Sequence, residues 1–478
     1  MKKLNYNMNY FKKFGLIILL ITINSSSLFS QEDNYNSEHF GNKSILLSGT
    51  VTGSVTDLGL TYYNPARIAL VENAIFSINA KAYQYNRLSL KNTVGYNTKL
   101  NSSKFGGVPS MLAGTFKIKW LKNHHFAYSF ITKSRDKFDI SYDTEIQSGD
   151  ILDDIDGVEK YVGKLKLGSR HTDEWFGLTW GKLITKNFSI GVSSYLSIYN
   201  FNANSQTTFS VLEESQDVDF YFNSFSISHE SYGLFWKVGF AWKLPKINFG
   251  LNIDLPYLEI YENGKFNYQE ALSGISNQDD IFKYADLEEI DSNRKVPLGI
   301  SIGAGVPIGK STLHLKIDWH NNLESYDRLA IPDIEDGTEE VKSFYFKSTL
   351  QSVINFGAGI EIFINDKYKL FSSFSTDYSA ANKNANIFDL IGDNENDVDL
   401  NLDFFQVGFG IDISLKWADL ILGTTYSNGT TKFSQKIDFP GVNSNANEAD
   451  KLTKFGITRW RGIIGMKIPV FGMNLEVK

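Results

Sequence analysis

The chain contains no cysteine, few prolines and no long apolar run after its N-terminus. Cysteine is absent and proline occurs 9 times in 478 residues. Without cysteine there is no disulfide, thiolate metal site, iron–sulfur cluster, cysteine nucleophile or lipid-modified cysteine anchor. Past residue 30 no stretch approaches the roughly 18 consecutive apolar residues of a transmembrane helix, which excludes a helical inner-membrane protein.

An excess of positive charge is also missing. The chain has 47 Lys and Arg against 54 Asp and Glu, for a formal net charge of −7. This balance argues against a dedicated nucleic-acid-binding protein, which carries a basic patch. Hydrophobic residues at 42% and charged residues at 21% exclude a disordered polyelectrolyte. The 38 Gly and 36 Phe favour a large β-protein.

Residues 1–30 have the pattern of a secretory signal peptide. Four lysines precede an apolar centre at 16–23, and serines follow at 25–27 and at Ser30. The apolar centre is too short to cross a bilayer core, which needs about 20 residues. We therefore expect cleavage near Gln31 and an exported acidic chain.

The rest of the chain alternates apolar and polar residues with a period of two. Between Phe405 and Trp417 every second residue is apolar, and the residues between are small or polar. The same alternation recurs along the chain, and several apolar series end in Trp (Trp120, Trp242, Trp319 and Trp417). Such long alternating strands with aromatic ends are typical of a transmembrane β-barrel. A soluble β-sandwich also alternates and is the alternative.

Fourteen segments carry this alternation, and an even number suits a bacterial barrel. Short connections such as 244–246 are expected as periplasmic turns, and the polar spacers between other segments as external loops. The predicted strands are 75–91, 111–121, 124–146, 171–183, 186–203, 231–244, 246–258, 296–307, 311–320, 351–364, 367–378, 403–416, 418–430 and 455–469. We therefore predict an all-β fold, a transmembrane antiparallel β-barrel of about 14 strands over 75–478.

The segment 31–74 does not alternate, yet it is too apolar to remain in water. It contains Leu58, Leu60, Tyr62, Ile68 and Leu70. We expect this segment to lie in the barrel lumen as an N-terminal hatch, or plug. A flexible exported tail is the alternative.

Four motifs resemble the FadL-type outer-membrane transporters of long-chain fatty acids and other hydrophobic compounds. The triplet Asn64, Pro65 and Ala66 resembles that family's hatch motif. The other three are Gly250–Pro256, Val296–Gly303 and Gly357–Glu361, in the expected order. The resemblance implies a fourteen-stranded barrel with an N-terminal hatch. It also implies an apolar lumenal pocket and ligand exit sideways through the wall into the bilayer, without energy input. The chain departs from the family by ending in Val477-Lys478 instead of an aromatic residue.

We interpret the apolar hatch residues Leu58, Leu60, Tyr62 and Ile68 as candidate ligand-binding residues. Arg67 or Lys81 could pair with the carboxylate of a fatty acid. The alternative is that these cations balance acidic groups in the lumen. The expected partners are a hydrophobic small molecule and outer-membrane lipid, with no nucleic acid, cofactor or metal, and a monomer is the expected state.

Three further patterns do not change this interpretation. Ala304–Ser311 has the letters of a phosphate-binding loop, but a strand follows it where that loop needs a helix. His314, Lys316, Asp318 and His320 share one face, which a water-lined lumen explains better than a metal or catalytic site. The acidic run 393–399 lacks the ligand pattern of an EF-hand.

The sequence thus favours a channel for passive uptake of hydrophobic small molecules such as long-chain fatty acids, in the outer membrane of a Gram-negative bacterium. The alternative is a structural or protein-secretion-associated barrel whose loops bind partner proteins. An enzyme is not expected.

Overall fold

Outside its N-terminal segment, the chain folds almost entirely as antiparallel β-strands. The computed structural model describes residues 34–469 except 72–74, 96, 119, 122, 150–158, 213–216, 275–279, 336–340, 383–400 and 435–451. The predicted signal peptide and the acidic run 393–399 lie outside the described residues. Among the described residues, no helix has the length and apolar content needed to cross a bilayer.

Within the described residues, the N-terminal segment contains three short helices, and twenty-one strands follow. The helices are α1 (Asn42–Leu46), α2 (Leu60–Tyr63) and a 3₁₀ helix (Pro65–Leu70). The strands are β1 (Ile75–Lys91), β2 (Lys99–Phe116), β3 (His124–Asp143), β4 (Gln147–Gly149), β5 (Glu159–Thr185), β6 (Phe188–Leu212), β7 (Val218–Lys243), β8 (Asn248–Asp254), β9 (Leu258–Ser273), β10 (Ile281–Ile290), β11 (Gly299–Ile308), β12 (Ser311–His320), β13 (Leu323–Leu329), β14 (Ile334–Glu335), β15 (Val341–Lys342), β16 (Phe346–Leu350), β17 (Val353–Phe363), β18 (Tyr368–Asp377), β19 (Phe404–Ser414), β20 (Asp419–Ser434) and β21 (Leu452–Pro469).

The strands form one closed barrel because β1 pairs with both β2 and β21. Two wall strands are each built from two pieces. Strand β7 pairs with β8 and β9, while β8 pairs with β11 and β9 pairs with β10. Counting each pair of pieces as one strand gives fourteen, so the predicted fold is confirmed.

The two faces of the wall differ in polarity. Large apolar side chains on the outer face stay exposed, and examples are Leu178 (64%), Ile354 (58%), Ile317 (56%) and Phe409 (54%). Their neighbours along the strands point inward and are buried, small or polar, such as Thr179, Asn355, Asp318 and Gly408. An apolar outer band with a polar interior is the pattern of a barrel that stands in lipid.

Several strands extend beyond their predicted ends. Strand β5 begins at Glu159, and β6 and β7 cover much of the spacer 204–230. We expected these spacers as external loops, since their outward residues are polar. A strand that continues above the membrane faces water on its outer side, so its outer face loses the apolar signal while the pairing persists.

The N-terminal half of β2 was missed for a different reason. Its sequence contains Gly106, Gly107 and Pro109, which weaken a strand pattern. Strand β2 pairs with β1 along nearly its whole length, but it pairs with β3 only over Met111–Phe116 against Phe126–Ile131. Beyond these residues the two strands form no ladder pairs, and the Lys104–Asp139 ion pair at 2.6 Å crosses between them. We call this opening, between 99–110 and 132–143, the seam.

Residues 34–71 lie inside the barrel, and we call them the lumenal segment. Asn64 caps the 3₁₀ helix because its side-chain oxygen accepts a hydrogen bond from the Ala66 amide at 3.2 Å, and Pro65 occupies the first helical position. The Asp57 carboxylate accepts a hydrogen bond from the Ser44 amide at 3.0 Å, at the start of α1. These local bonds satisfy backbone groups that have no sheet partner.

Glycines on the inner wall allow the lumenal segment to approach closely. A Cβ atom on Gly191 would lie 2.5 Å from the carbonyl carbon of Pro65, and one on Gly303 would lie 2.6 Å from the Gly53 amide nitrogen. At these glycines the backbone of the lumenal segment therefore packs directly against the backbone of the wall.

We expect Gly191→Val to push the lumenal segment off the wall and leave the barrel folded, since valine suits a strand. Ion conductance in planar bilayers should rise several-fold, while heat-modifiable migration on gels stays unchanged. The control is Gly462→Val, whose Cβ would make only ordinary contact with Tyr83 at 3.6 Å. Wild-type conductance in a folded Gly191→Val barrel would contradict this packing.

Candidate functional site

The Asn64-Pro65-Ala66 triplet joins the lumenal segment to the wall. The Asn64 amide nitrogen donates to the Thr52 carbonyl at 2.9 Å and to the Phe240 carbonyl of β7 at 3.0 Å. One side chain therefore links two turns of the segment to the barrel. Ala66 is fully buried, which leaves no space for a larger residue.

The predicted apolar ligand residues lie in the densely packed core around this triplet. Leu58, Leu60 and Ile68 are 1%, 1% and 0% exposed. Tyr62 lies at the boundary with the polar lumen. Its hydroxyl accepts a hydrogen bond from Lys133 at 3.0 Å, and the Lys237 ammonium lies 4.1 Å from its ring centroid. The structure therefore brings these four residues together.

Arg67 stabilises the backbone of the lumenal segment. Its guanidinium donates to the carbonyl of Val55 and to that of Gly53, both at 2.7 Å. Burial lowers the pKa of Arg67 to about 10, since the buried site disfavours the charge. In this conformation Arg67 holds two carbonyls that lack sheet partners.

Lys81 belongs to a buried ion cluster at the level of Glu38. The Glu38 carboxylate forms ion pairs with both Lys81 and Arg461, and all three side chains are almost fully buried. Burial by itself raises the pKa of Glu38, but Arg461, Lys81 and Arg459 outweigh it and lower this pKa to about 2. Asp136 lies 3.7 Å from Arg459. We call these five residues the ion cluster; it holds three cations and two carboxylates.

The polar face of β12 binds the lumenal segment. The Nδ1 atom of His314 lies 2.6 Å from the Ser54 hydroxyl, Lys316 donates to the Asn36 side chain at 3.1 Å, and His320 stacks on Tyr35 at 3.8 Å. We interpreted this face from the sequence as lining a water-filled lumen. Instead it is covered by residues 34–54, which explains its buried polar groups.

An apolar cluster lies beside the ion cluster, toward the end of the barrel that carries the long connections between strands. We call it the seam cluster. Leu88 and Leu100 approach from β1 and β2 on one side of the seam, and Ile140 approaches from β3 on the other. Its remaining buried members are Leu90, Val94, Tyr161, Leu165, Leu167, Val211, Leu402, Phe404, Phe455 and Ile457. Apolar side chains therefore lie directly behind the opening in the wall.

Gly106 marks open space at this opening. It lies opposite Gln84, whose buried side chain faces the lumen, and Gln84 in turn lies opposite Arg461. No heavy atom lies within 4 Å of the position that a Cβ on Gly106 would occupy. The seam thus leads from the outer surface to the ion cluster and to the seam cluster.

A second apolar cluster, the loop cluster, fills the opposite side of the upper lumen. Phe344 and Phe346, from the connection between β12 and β17, pack there on Phe201 and Tyr268 of the wall. Its other buried members are Tyr199, Ala203, Phe225, Ile227, Phe266, Ala285, Ile290 and Leu329. This inward fold of the connection covers the lumen on that side.

Between the two clusters the lumen is polar and narrow. Arg294 donates to Asp173 at 2.7 Å and stacks on Tyr199 at 4.0 Å. A cavity lined by Lys133, Asp173 and Arg294 measures about 60 Å³, and a second beside Tyr62 about 20 Å³. An apolar cavity that binds benzene measures about 150 Å³. Neither of these two cavities is therefore large enough for a molecule of that size.

The sequence analysis missed the seam, the seam cluster and Arg294. A signal for the seam cluster was present, since Leu165 and Leu167 lie in a predicted loop and still alternate with lysines. Their inward position depends on the register with β3. In the part of the chain that the structure describes, no group of three or more His, Asp or Glu residues is arranged to hold a metal.

No protein-family model matches the chain, and no curated protein matches it. Solved barrels do match. The toluene transporter TodX of Pseudomonas putida aligns with 92% of this chain and 100% of its own, with a TM-score of 0.55 at 12% identity. A FadL homologue of Pseudomonas aeruginosa aligns with 91% of this chain and 99% of its own, with a TM-score of 0.51 at 10% identity. The chain therefore has the FadL-type barrel fold, as the motif resemblance implied.

We expect Glu38→Gln to loosen the lumenal segment, because it leaves Lys81 and Arg461 buried without their carboxylate. Removing one partner of a buried pair costs about 3–5 kcal/mol. Hydrogen exchange of residues 34–47 should accelerate accordingly. Glu288→Gln is the control, since its pair with Lys265 is exposed and screened by water.

The pH dependence tests the same cluster. The pKa of Glu38 falls from 4.5 to about 2 in the folded chain, so its stabilising contribution is complete above pH 4.5 and is lost as the pH falls toward 2. The difference in exchange between wild type and Glu38→Gln should therefore disappear across this interval. A constant difference down to pH 2 would contradict the assignment.

Proposed function

We propose that the protein is a passive channel by which hydrophobic small molecules enter through the outer membrane of a Gram-negative bacterium. Three features support this: the apolar outer band, the lumenal segment that fills the barrel, and the fold it shares with a toluene transporter. A cargo of low water solubility needs apolar contacts in succession, and the loop cluster and the seam cluster supply them.

The seam is the observation that carries the proposal. A ligand that enters from the loop side would move from the loop cluster to the seam cluster and leave between β2 and β3 into the outer leaflet. Each CH₂ group gains about 0.8 kcal/mol in an apolar environment. Passing straight down would take the ligand through the ion cluster and the packed lumenal segment, so the lateral route is favoured.

In this mechanism the lumenal segment acts as the hatch. It blocks the axial path and supports the ion cluster from below through Glu38. The apolar residues Leu58, Leu60, Tyr62 and Ile68 form its core. A contact between them and a ligand requires a shift of the segment, with Asn64, Pro65 and Ala66 as its attachment to the wall.

The ion cluster suits a cargo with a carboxylate. It contains Lys81, Arg459 and Arg461 against two carboxylates, and it adjoins the open space at Gly106. A fatty-acid carboxylate arriving there would balance the third positive charge. Arg67 lies deeper, on backbone carbonyls, and would reach a ligand only after the segment moves. Long-chain fatty acids are therefore the finer proposal, and neutral aromatic hydrocarbons the broader class.

Uptake measurements test the proposal directly. Cells that express the protein should take up radiolabelled oleate and toluene faster than cells with an empty vector. If expressing cells take up both compounds no faster than empty-vector cells, and proteins copurify with the barrel, the structural or secretion-associated alternative would be supported instead.

We expect Gly106→Trp to reduce uptake of both compounds by about tenfold, because the indole fills the passage and raises the barrier by about 1.4 kcal/mol. The Cβ atom of the new side chain would meet no heavy atom within 4 Å. Gly462→Trp, on the outer face of β21, is the matched control and should retain uptake. Wild-type rates in Gly106→Trp would show that cargo does not use the seam.

Arg459→Gln separates the two cargo classes. The change removes the third positive charge of the ion cluster, so oleate uptake should fall about tenfold, the effect of losing one charge-assisted hydrogen bond. Toluene uptake should stay within twofold of wild type, about the limit of such assays. Arg459→Lys keeps the charge and should restore part of the oleate uptake. An equal loss for both compounds would show that Arg459 acts on the barrel and not on the carboxylate.

A further inference from the structure

Four lysines form one row across the outer wall. Lys99, Lys91, Lys454 and Lys432 are direct register partners on the adjacent strands β2, β1, β21 and β20. All four are exposed, and their neighbours Leu90 and Phe455 point inward at 0% and 1% exposure. With strands about 4.8 Å apart, this lysine row spans about 14 Å.

An aromatic row lies below the lysine row on the same four strands. Phe105, Tyr85, Trp460 and Tyr426 are register partners there, and the rings of Trp460 and Tyr426 lie 4.7 Å apart. Aromatic girdles mark the headgroup level of a barrel. The lysine row is six residues farther along each strand, or about 20 Å along the strand. It therefore lies above the girdle, on the loop side.

Between the rows the wall forms a groove of about 770 Å³. Small residues make its floor, with Ser89, Gly456 and Thr430 in one register row, and Arg87 stands at its lower edge beside Thr458. None of the described residues that line the groove is acidic. The groove is thus concave, cationic and adjacent to the membrane surface.

Another groove on the outer wall provides the contrast. It is lined by Lys137 and Lys265, but also by Asp139 and Asp286. Lys137 pairs with Asp139 at 3.4 Å, and Lys265 pairs with Glu288 at 2.8 Å. The two lysines of this second groove therefore have carboxylate partners, and Arg170 also lines it. Within the described residues, no such ion pair involves the lysine row.

Like charges directly opposite each other on neighbouring strands destabilise a sheet. A polyanion in front of the row of four lysines would relieve this repulsion. We propose that the groove binds the phosphorylated sugar headgroup of lipopolysaccharide in the outer leaflet, with Arg87 and the lysine row on its phosphates and the aromatic row against the start of its acyl chains.

This inference depends on the proposed outer-membrane location but not on transport. Phosphates are recognised by clusters of lysine and arginine at a membrane surface. A lipid with one phosphate reaches one or two of these side chains, whereas a sugar headgroup with several phosphates matches a row 14 Å long. The gap between the two rows leaves room for sugar rings above the girdle.

The test measures lipopolysaccharide binding by the purified full-length protein in detergent. Lys91→Gln/Lys454→Gln removes the two central charges and should weaken binding about 30-fold, since each lysine contributes about fivefold and the two factors multiply. The control is Lys137→Gln/Lys265→Gln, which removes two upper-wall lysines of the second groove and should leave affinity within twofold of wild type. Heat-modifiable migration confirms that every variant is folded.

Three further ligands separate the sources of phosphate. Dephosphorylated lipopolysaccharide, phosphatidylglycerol micelles and inorganic phosphate should each bind more weakly than intact lipopolysaccharide. Equal affinity for phosphatidylglycerol or for inorganic phosphate would overturn the proposed occupant. Equal loss of affinity in the two double variants would overturn the assignment to this groove.

Thermal stability gives an independent measurement. Without lipopolysaccharide, Lys91→Gln/Lys454→Gln should melt at a higher temperature than wild type, because like charges have been removed. With lipopolysaccharide the order should reverse, since only wild type gains from binding. An unchanged order would contradict the proposal. Oleate and toluene uptake do not enter these measurements, so failure here and failure of the channel proposal are distinguishable.

Discussion

The structure depends on the fact that hydrocarbon offers no hydrogen bond to a peptide group. Every strand edge in a bilayer must therefore be paired, and the closure of β1 on β21 meets this requirement. The seam is the exception, and its chemistry limits the cost. Pro109 has no amide hydrogen to leave unpaired, and the Ser110 hydroxyl donates to the His39 carbonyl of the lumenal segment. Where β2 separates from β3, the lumenal segment thus hydrogen-bonds the edge of β2 from inside the barrel.

The closed sheet also determines what the lumen contains. Inward positions face neither lipid nor bulk water, so charges there need partners inside the barrel. The lumenal segment supplies them at several places, among them Glu38 to Lys81 and Arg461, Lys43 to Asp412, and Asn36 to Lys316. Elsewhere the inward positions carry the seam and loop clusters, with the Arg294–Asp173 pair between them. The position of residues 34–71 therefore determines which parts of the lumen are filled and which are open.

Much of the fold could be predicted from the sequence, because alternation is a local property. The fourteen strands follow from it, including β12 and β19 with ends within two residues. The pattern failed where a strand continues above the membrane with a polar outer face, as at Ser226, Ser228 and Glu230 of β7, and where Gly106 and Pro109 interrupt β2. In these places pairing with neighbours, and not the local pattern, decides the conformation.

The candidate site was harder to predict, since it arises from register. Leu88 on β1 and Ile140 on β3 are far apart in the chain. They join one apolar cluster behind the seam, where β2 and β3 no longer pair. The lysine row is likewise dispersed through the sequence and appears only when four strands are aligned. Asn64-Pro65-Ala66 could be identified because its function in the fold is local: a cap, a fixed φ and a small side chain.

The wall glycines have a consequence for how this protein tolerates sequence change. Where Gly191 and Gly303 touch the backbone of the lumenal segment, the fit depends on main-chain atoms that every residue type shares. Substitutions at 50–66 whose side chains point away from the wall leave this fit intact. Inserting or deleting a single residue there shifts each carbonyl of the segment relative to its wall glycine. Relatives with this architecture should therefore keep the length of this stretch and vary in residue type mainly outside Gly53 and Asn64-Pro65-Ala66.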